Sequence, residues 1–147
     1  MKINRATEAN AAQLVELSKT LGYKVEIEGV SLRLKDILSR SDHVFFVAMD
    51  GDRVVGFIHG YIWLMVEVPA AVEFGGLAVA EDYQNKGVGK RLIQAIEVWA
   101  REKKISWLVL SSNIIREDAH GFYEHMGYKK YKQSYWFEKR LNIGDVA

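Results

Sequence analysis

Apolar residues recur along this chain with two periods, and the switches between them predict its elements. Lys2 to Ala6 alternates as a short strand. Thr7 is placed to cap the helix that follows, in which Ala11, Leu14, Val15, Leu17 and Leu21 recur at helical spacing and Gly22 supplies the stop. A second helix is predicted over Val30 to Leu38. The period then changes. His43 to Met49 is β-branched and aromatic, Asp50-Gly51 is a hairpin turn signal, and Arg53 to Glu67 resumes as a long strand. Val72 to Val79 reads as another strand with Gly75-Gly76 inside it, where a bulge or a close backbone approach is expected. Gly87 to Lys104 is the clearest helix: Val88, Leu92, Ile96, Trp99 and Ala100 share one face, and Glu97 pairs with Arg101 on the other. Trp107 to Leu110 is a short buried strand. Arg116 to Met126 is a helix whose stripe is Ala119, Phe122, Tyr123 and Met126, ended by Gly127. Tyr128 to Tyr131 and Ser134 to Arg140 close the chain as strands. The predicted order, β-α-α-β-β-β-α-β-α-β-β, is that of an α/β (mixed α+β) sheet covered by helices.

Composition narrows the picture. A length of 147 residues suits one domain over 1–147, and 49% hydrophobic with 27% charged residues is ordinary for a soluble globular protein. The lone Pro69 marks a turn. A net charge of +1 argues against bulk nucleic acid or an anionic membrane as partner. The absence of cysteine excludes disulfides, thiolate zinc sites and a cysteine nucleophile, and fits a reducing cytoplasm. Met1-Lys2-Ile3-Asn4-Arg5 is polar where a signal peptide needs an apolar core, and the apolar run Val54 to Val68 is interrupted by Gly56, His59, Gly60 and Glu67. A cytoplasmic location is the expectation.

Chemistry concentrates at Gln84-Asn85-Lys86-Gly87-Val88-Gly89-Lys90-Arg91, between a strand and a helix. Glycines at a helix start let backbone amides face a ligand with no Cβ in the way. Lys86, Lys90 and Arg91 crowd the positive end of the helix dipole, each unfavourable there by about 0.3–1 kcal/mol unless an anion is bound. Pyrophosphate is the natural candidate. The stretch is neither a P-loop, which needs glycine at Gln84 and Ser or Thr at Arg91, nor the dinucleotide fingerprint, which needs Gly or Ala at Leu92.

Gln84 to Gly89 resembles the Gln/Arg-x-x-Gly-x-Gly/Ala loop of the GNAT superfamily of acyl-CoA-dependent N-acyltransferases. Ala119-His120-Gly121-Phe122-Tyr123-Glu124-His125-Met126-Gly127-Tyr128 is similar to that family's Ala-x-x-Phe-Tyr-x-x-x-Gly-Phe/Tyr segment. The resemblance implies acetyl-CoA as co-substrate. It implies cofactor contacts at the strand end Leu77-Ala78-Val79 and at Gln84, Asn85, Lys86, Gly87, Val88, Gly89 and Lys90. Ala119, Phe122 and Tyr123 join these from the second motif. Many members carry an asparagine three residues before the alanine; here Arg116 stands there, with Asn113 three residues earlier, and either can contact the pantetheine.

Acetyl transfer from a thioester to an amine needs a deprotonated amine, a stabilised oxyanion and a proton for the departing thiolate. Tyr123 matches the family's general acid, although its stripe also suits a core. Glu73 stands where some members hold a catalytic glutamate; a carboxylate among apolar strand residues suits a base, and a strand-edge glutamate facing water is the plain alternative. The four histidines, His43, His59, His120 and His125, show no metal-ligand spacing, and no metal is expected. The expected acceptor is a primary amine of a small molecule or protein, and a homodimer is compatible. Glu26, Glu28 and Glu67 lean the acceptor toward a cation. A non-catalytic acyl-CoA-binding module is the rival reading; a nucleic-acid binder lacks the basic excess it needs.

Overall fold

The turn at Asp50-Gly51 forms where the sequence puts it, with Gly51 at φ +59° joining β2 (His43–Asp50) to β3 (Arg53–Trp63). In the computed structural model, which describes residues 1–144, this hairpin is the centre of a five-stranded sheet. β1 (Lys2–Arg5) pairs antiparallel with β2, and β4 (Ala71–Val79) pairs antiparallel with β3. β5 (Leu108–Val109) lies parallel to β4, giving the order β1-β2-β3-β4-β5. This is the mixed α/β sheet that the pattern predicts. By its contacts the chain divides into two units, Met1–Ser111 and a second that begins at Ser112.

In the first unit, α1 (Ala11–Ser18) and α2 (Ile27–Leu38) cover one face of the sheet. Leu14, Leu17 and Leu34 pack there with Phe45, Val47, Phe57 and Ala78 in one buried cluster. Helix α2 starts three residues before the predicted Val30, because Glu26 is extended and its carbonyl accepts the Val30 N–H at 3.0 Å. Thr7 opens a short turn whose Asn10 Oδ1 accepts the Thr7 N–H at 2.8 Å.

Helix α3 (Val88–Glu102) covers the other face with Val88, Leu92, Ile93, Ile96, Trp99 and Ala100 buried. It sits so close that a Cβ on Gly60 would meet Ile96 Cδ1 at 2.7 Å, which explains two glycines in a strand otherwise rich in large residues. A Cβ on Gly56 would meet Leu92, Val88 and the Ala78 carbonyl, each at 3.1 Å.

β3 ends at Trp63, four residues short of the predicted Glu67. Leu64 and Val66 are exposed in the loop that leads through Pro69 to β4, so the apolar run leaves the sheet before its composition changes.

In the second unit, α4 (Glu117–His125) forms as predicted, and Gly127 at φ +95° ends it. The strands expected over Tyr128–Tyr131 and Ser134–Arg140 do not form: no strand lies among described residues 128–144. A strand needs a ladder partner and a buried face, and Tyr135, Trp136 and Phe137 are 90%, 82% and 94% exposed. The final β-β of the predicted order is therefore corrected.

Candidate active site

β4 carries the bulge that its glycines announce. Phe57 pairs with Ala78 and His59 with Gly75, so Ile58 faces the two residues Gly76 and Leu77, and Gly76 adopts φ +60°. β5 pairs only with Val72 and Glu73, so beyond Glu73 no strand follows β4 on that side. The backbone of Gly75 to Val79, including Leu77, Ala78 and Val79, thus borders a gap in the sheet. Gln84 is tied back to this strand end, its Nε2 donating to the Val79 carbonyl at 3.1 Å.

The phosphate-type loop follows a tight turn, Glu81–Tyr83, braced from β3. The Arg53 guanidinium donates two bonds to Asp82, at 2.8 and 2.9 Å, and this pairing holds the Asp82 carboxyl below its usual range. Tyr83 donates to Asp50 and lies under both Arg53 and Lys86. Asn85 and Gly87 both adopt positive φ, +61° and +81°, and Gly87 is the N-cap of α3 with no side chain capping the helix. A Cβ on Gly87 would meet nothing within 4 Å, so the loop faces open space. Val88 is buried against Gly56, leaving its backbone as the part it can present, whereas Asn85, Lys86 and Lys90 are exposed. Arg91 departs from the cationic cluster: its guanidinium donates to the Met1 carbonyl at 3.2 Å.

Glu73 precedes the bulge, so its facing follows from register. It opposes Tyr61, which opposes His43, and His59 opposes Phe45 of the α1–α2 cluster. All five share one face. The Tyr61 hydroxyl donates to the Glu73 carboxylate; burial first, and that bond second, push the phenol up to about 12. His43 Nδ1 and His59 Nε2 are 2.9 Å apart, and the His43 ring stacks on His59 and on Tyr61. Burial, then the neighbouring His43, pushes His59 down to about 4, so it is neutral at pH 7. Glu73 is half-buried and sits beside neutral rings and a phenol, a setting in which it can receive a proton or an ammonium group. Sequence reasoning placed Glu73 but missed Tyr61 and the His43–His59 pair.

In the second unit, Asn113 organises the start of α4. Its Oδ1 accepts the Ile115 N–H at 3.1 Å, and its carbonyl takes the Arg116 N–H at 3.0 Å and lies 2.8 Å from His120 Nε2. Ala119 is half-buried and Phe122 largely exposed. The Tyr123 ring packs on Phe122 and edge-on to Tyr128. Burial raises the Tyr123 phenol and the Arg116 charge opposes that rise; the net effect keeps a protonated hydroxyl at neutral pH. Among the described residues, no three His, Asp or Glu side chains cluster as metal ligands, and no helix is long and apolar enough to cross a membrane. A cleft of about 470 Å³, lined by Gln13, Glu16, Arg53 and Asp82 among others, includes neither Glu73 nor Gly87. It is left out of the site because it offers no strand edge and no helix start.

Fold and site together define an α/β domain of the acyltransferase class. Residues 41–130, more than half of the chain, match the family model described as an acetyltransferase (GNAT) domain, and the chain belongs to that family. It is 29% identical over 106 residues to human N-acetyltransferase 8B, covering 69% of this chain and 45% of that protein. The chain thus spans about half the length of the human relatives it matches. It is 24% identical over 129 residues to N-acetyltransferase YhdJ of Bacillus subtilis (strain 168), covering 87% of this chain and 89% of that protein. The aminoglycoside N-acetyltransferase AAC(6')-Iy, solved with CoA, shares the fold at a TM-score of 0.85 and 18% identity, covering 95% of each chain.

Proposed function

We propose that this chain transfers the acetyl group of acetyl-CoA to a primary amine, by direct attack of the amine on the thioester. The observation that carries the reading is the Tyr61–Glu73 pair, set on β4 directly before the gap at Gly75 to Val79 and the uncapped start of α3. In this reading Gln84 to Lys90 holds the pyrophosphate, and the edge of Leu77 to Val79 bonds the pantetheine and the acetyl carbonyl. Asn113 or Arg116, with Ala119 and Phe122, adds contacts to the arm. Glu73 takes the ammonium proton, the amine nitrogen bonds the acetyl carbon, and the carbon–sulfur bond breaks. Tyr123 gives its proton to the leaving thiolate and recovers one from solvent.

The acceptor is a small molecule or an exposed protein amine, and cationic amines suit a carboxylate among neutral rings. No metal enters the reaction, and its setting is the cytoplasm. Release of free CoA thiol from acetyl-CoA across a panel of polyamines, aminoglycosides, amino acids and peptides tests the activity. Tyr123→Phe keeps the ring and removes the proton, so kcat is expected to fall on the order of 10²-fold while acetyl-CoA affinity stays unchanged. Acetyl-CoA binding without thiol release for any amine would favour the non-catalytic module instead.

A further inference from the structure

We propose that the C-terminal arm, Tyr135 to Ile143, docks on the β5 edge of a second copy of this chain, so that two copies exchange arms. Tyr135, Trp136, Phe137, Leu141 and Ile143 are 90%, 82%, 94%, 67% and 70% exposed. A soluble monomer seldom leaves a contiguous apolar run of that size in water. The stretch also has the aromatic composition of a strand, yet it forms none.

The receptor is on the same chain type. β5 is an edge strand with a single neighbour, β4. Sheet edges open to water are normally blunted by lysine, proline or other charges, and Ser106-Trp107-Leu108-Val109-Leu110-Ser111 carries none. An extended segment can add there by backbone hydrogen bonding, with its aromatic side chains covering the apolar flanks. The areas agree. Aromatic side chains bury ~150–250 Å² each, so covering the five exposed residues removes roughly 800 Å² from water per copy. That matches the ~800 Å² per partner of a stable specific interface. Each copy has one arm and one edge, so mutual exchange closes a two-fold dimer with nothing left over. The inference is independent of the acetyl-transfer reading.

Sedimentation equilibrium of the full chain across micromolar concentrations is expected to give twice its mass of 16.8 kDa. The double variant Trp136→Asp, Phe137→Asp is expected to sediment at the single mass with an unchanged far-UV spectrum. Because that variant can fail to fold, a second measurement uses the absence of cysteine in the chain. Ser106→Cys and Phe137→Cys, carrying tags of different size, are mixed and treated with a short dimaleimide. A mixed adduct in excess of either variant's own adduct is expected. A single-mass wild type, a charged double variant that stays dimeric, or a mixed adduct no more abundant than the others would overturn the proposal.

Discussion

Tyr61 gives Glu73 a hydrogen bond donated to a carboxylate oxygen, which holds the group in one orientation and still leaves acceptor sites for an incoming amine. With its phenol pushed up to about 12, Tyr61 stays a donor at every pH of interest and acts as a positioning residue rather than as an acid. Tyr61→Phe is therefore expected to lower kcat/KM for the amine several-fold, leave acetyl-CoA affinity unchanged and keep the acidic limb of the pH profile. Glu73→Gln is expected to remove that limb, and a limb that survives it would give the base role to water. Behind this pair, His59 supplies a stability signature of its own. An unfolded histidine titrates near pH 6.5, whereas folded His59 is pushed down to about 4 by burial and by His43. Above about pH 6.5 both states are neutral and the full stability is present. Between about 6.5 and 4 the unfolded state binds a proton that the folded state does not, so stability falls as pH falls. His59→Phe keeps a ring beside Phe45 and Tyr61 and removes the proton site. The wild-type minus variant difference in melting temperature is expected to shrink on acidification through that window, and a flat difference would show that His59 titrates normally.

At the level of elements, close approach of α3 to β3 sets what the sheet tolerates. Gly60 lies under Ile96, whose side chain is fully buried, so Gly60→Val forces an overpacked contact costing about 1–3 kcal/mol. A melting temperature several degrees lower, read by calorimetry, is the expected outcome; an unchanged one would mean that α3 shifts freely. The same strand explains why some of the site was readable and some was not. The loop Gln84 to Gly89, the α3 stripe and the Gly75-Gly76 bulge each rest on local signals, and they form as read. Tyr61, His43 and His59 depend on register. Counting back from the Asp50-Gly51 turn in unbroken register would put His43 opposite Gly60 and His59 opposite Val44, on the other face. A second bulge between Ala48 and Met49 shifts the pairing by one residue, so His43 meets Tyr61 and Phe45 meets His59. That bulge has no glycine to announce it. The tail failed for a related reason: aromatic alternation over Ser134 to Arg140 reports strand propensity, and propensity alone supplies no ladder partner.

For the molecule as a whole, charge is nearly balanced, 20 Lys and Arg against 19 Asp and Glu, so attraction to an anion has to come from placement rather than from net charge. The placement is at the start of α3. Lys86 and Lys90 are exposed beside an uncapped helix end that is itself positive, and the free protein bears that repulsion unrelieved. A phosphate-bearing ligand relieves it in the folded state alone, because the unfolded chain has neither the turn at Asn85 and Gly87 nor the helix. Acetyl-CoA at a hundredfold excess over its Kd therefore adds about 2.7 kcal/mol to stability. For a chain of 147 residues that is a rise in melting temperature of roughly 5–10 °C. Acetyl-pantetheine, which has the thioester and the arm without the phosphates, is expected to give much less. The comparison separates the two halves of the cofactor site, since the pantetheine edge at Leu77 to Val79 is common to both ligands and the loop serves only one. Raised salt is expected to reduce the acetyl-CoA shift and to leave the smaller acetyl-pantetheine shift nearly unchanged, as screening acts on exposed charges. Equal shifts for the two ligands would place the phosphates away from this loop, and superimposable melting curves with and without millimolar acetyl-CoA would remove the cofactor from the reading altogether.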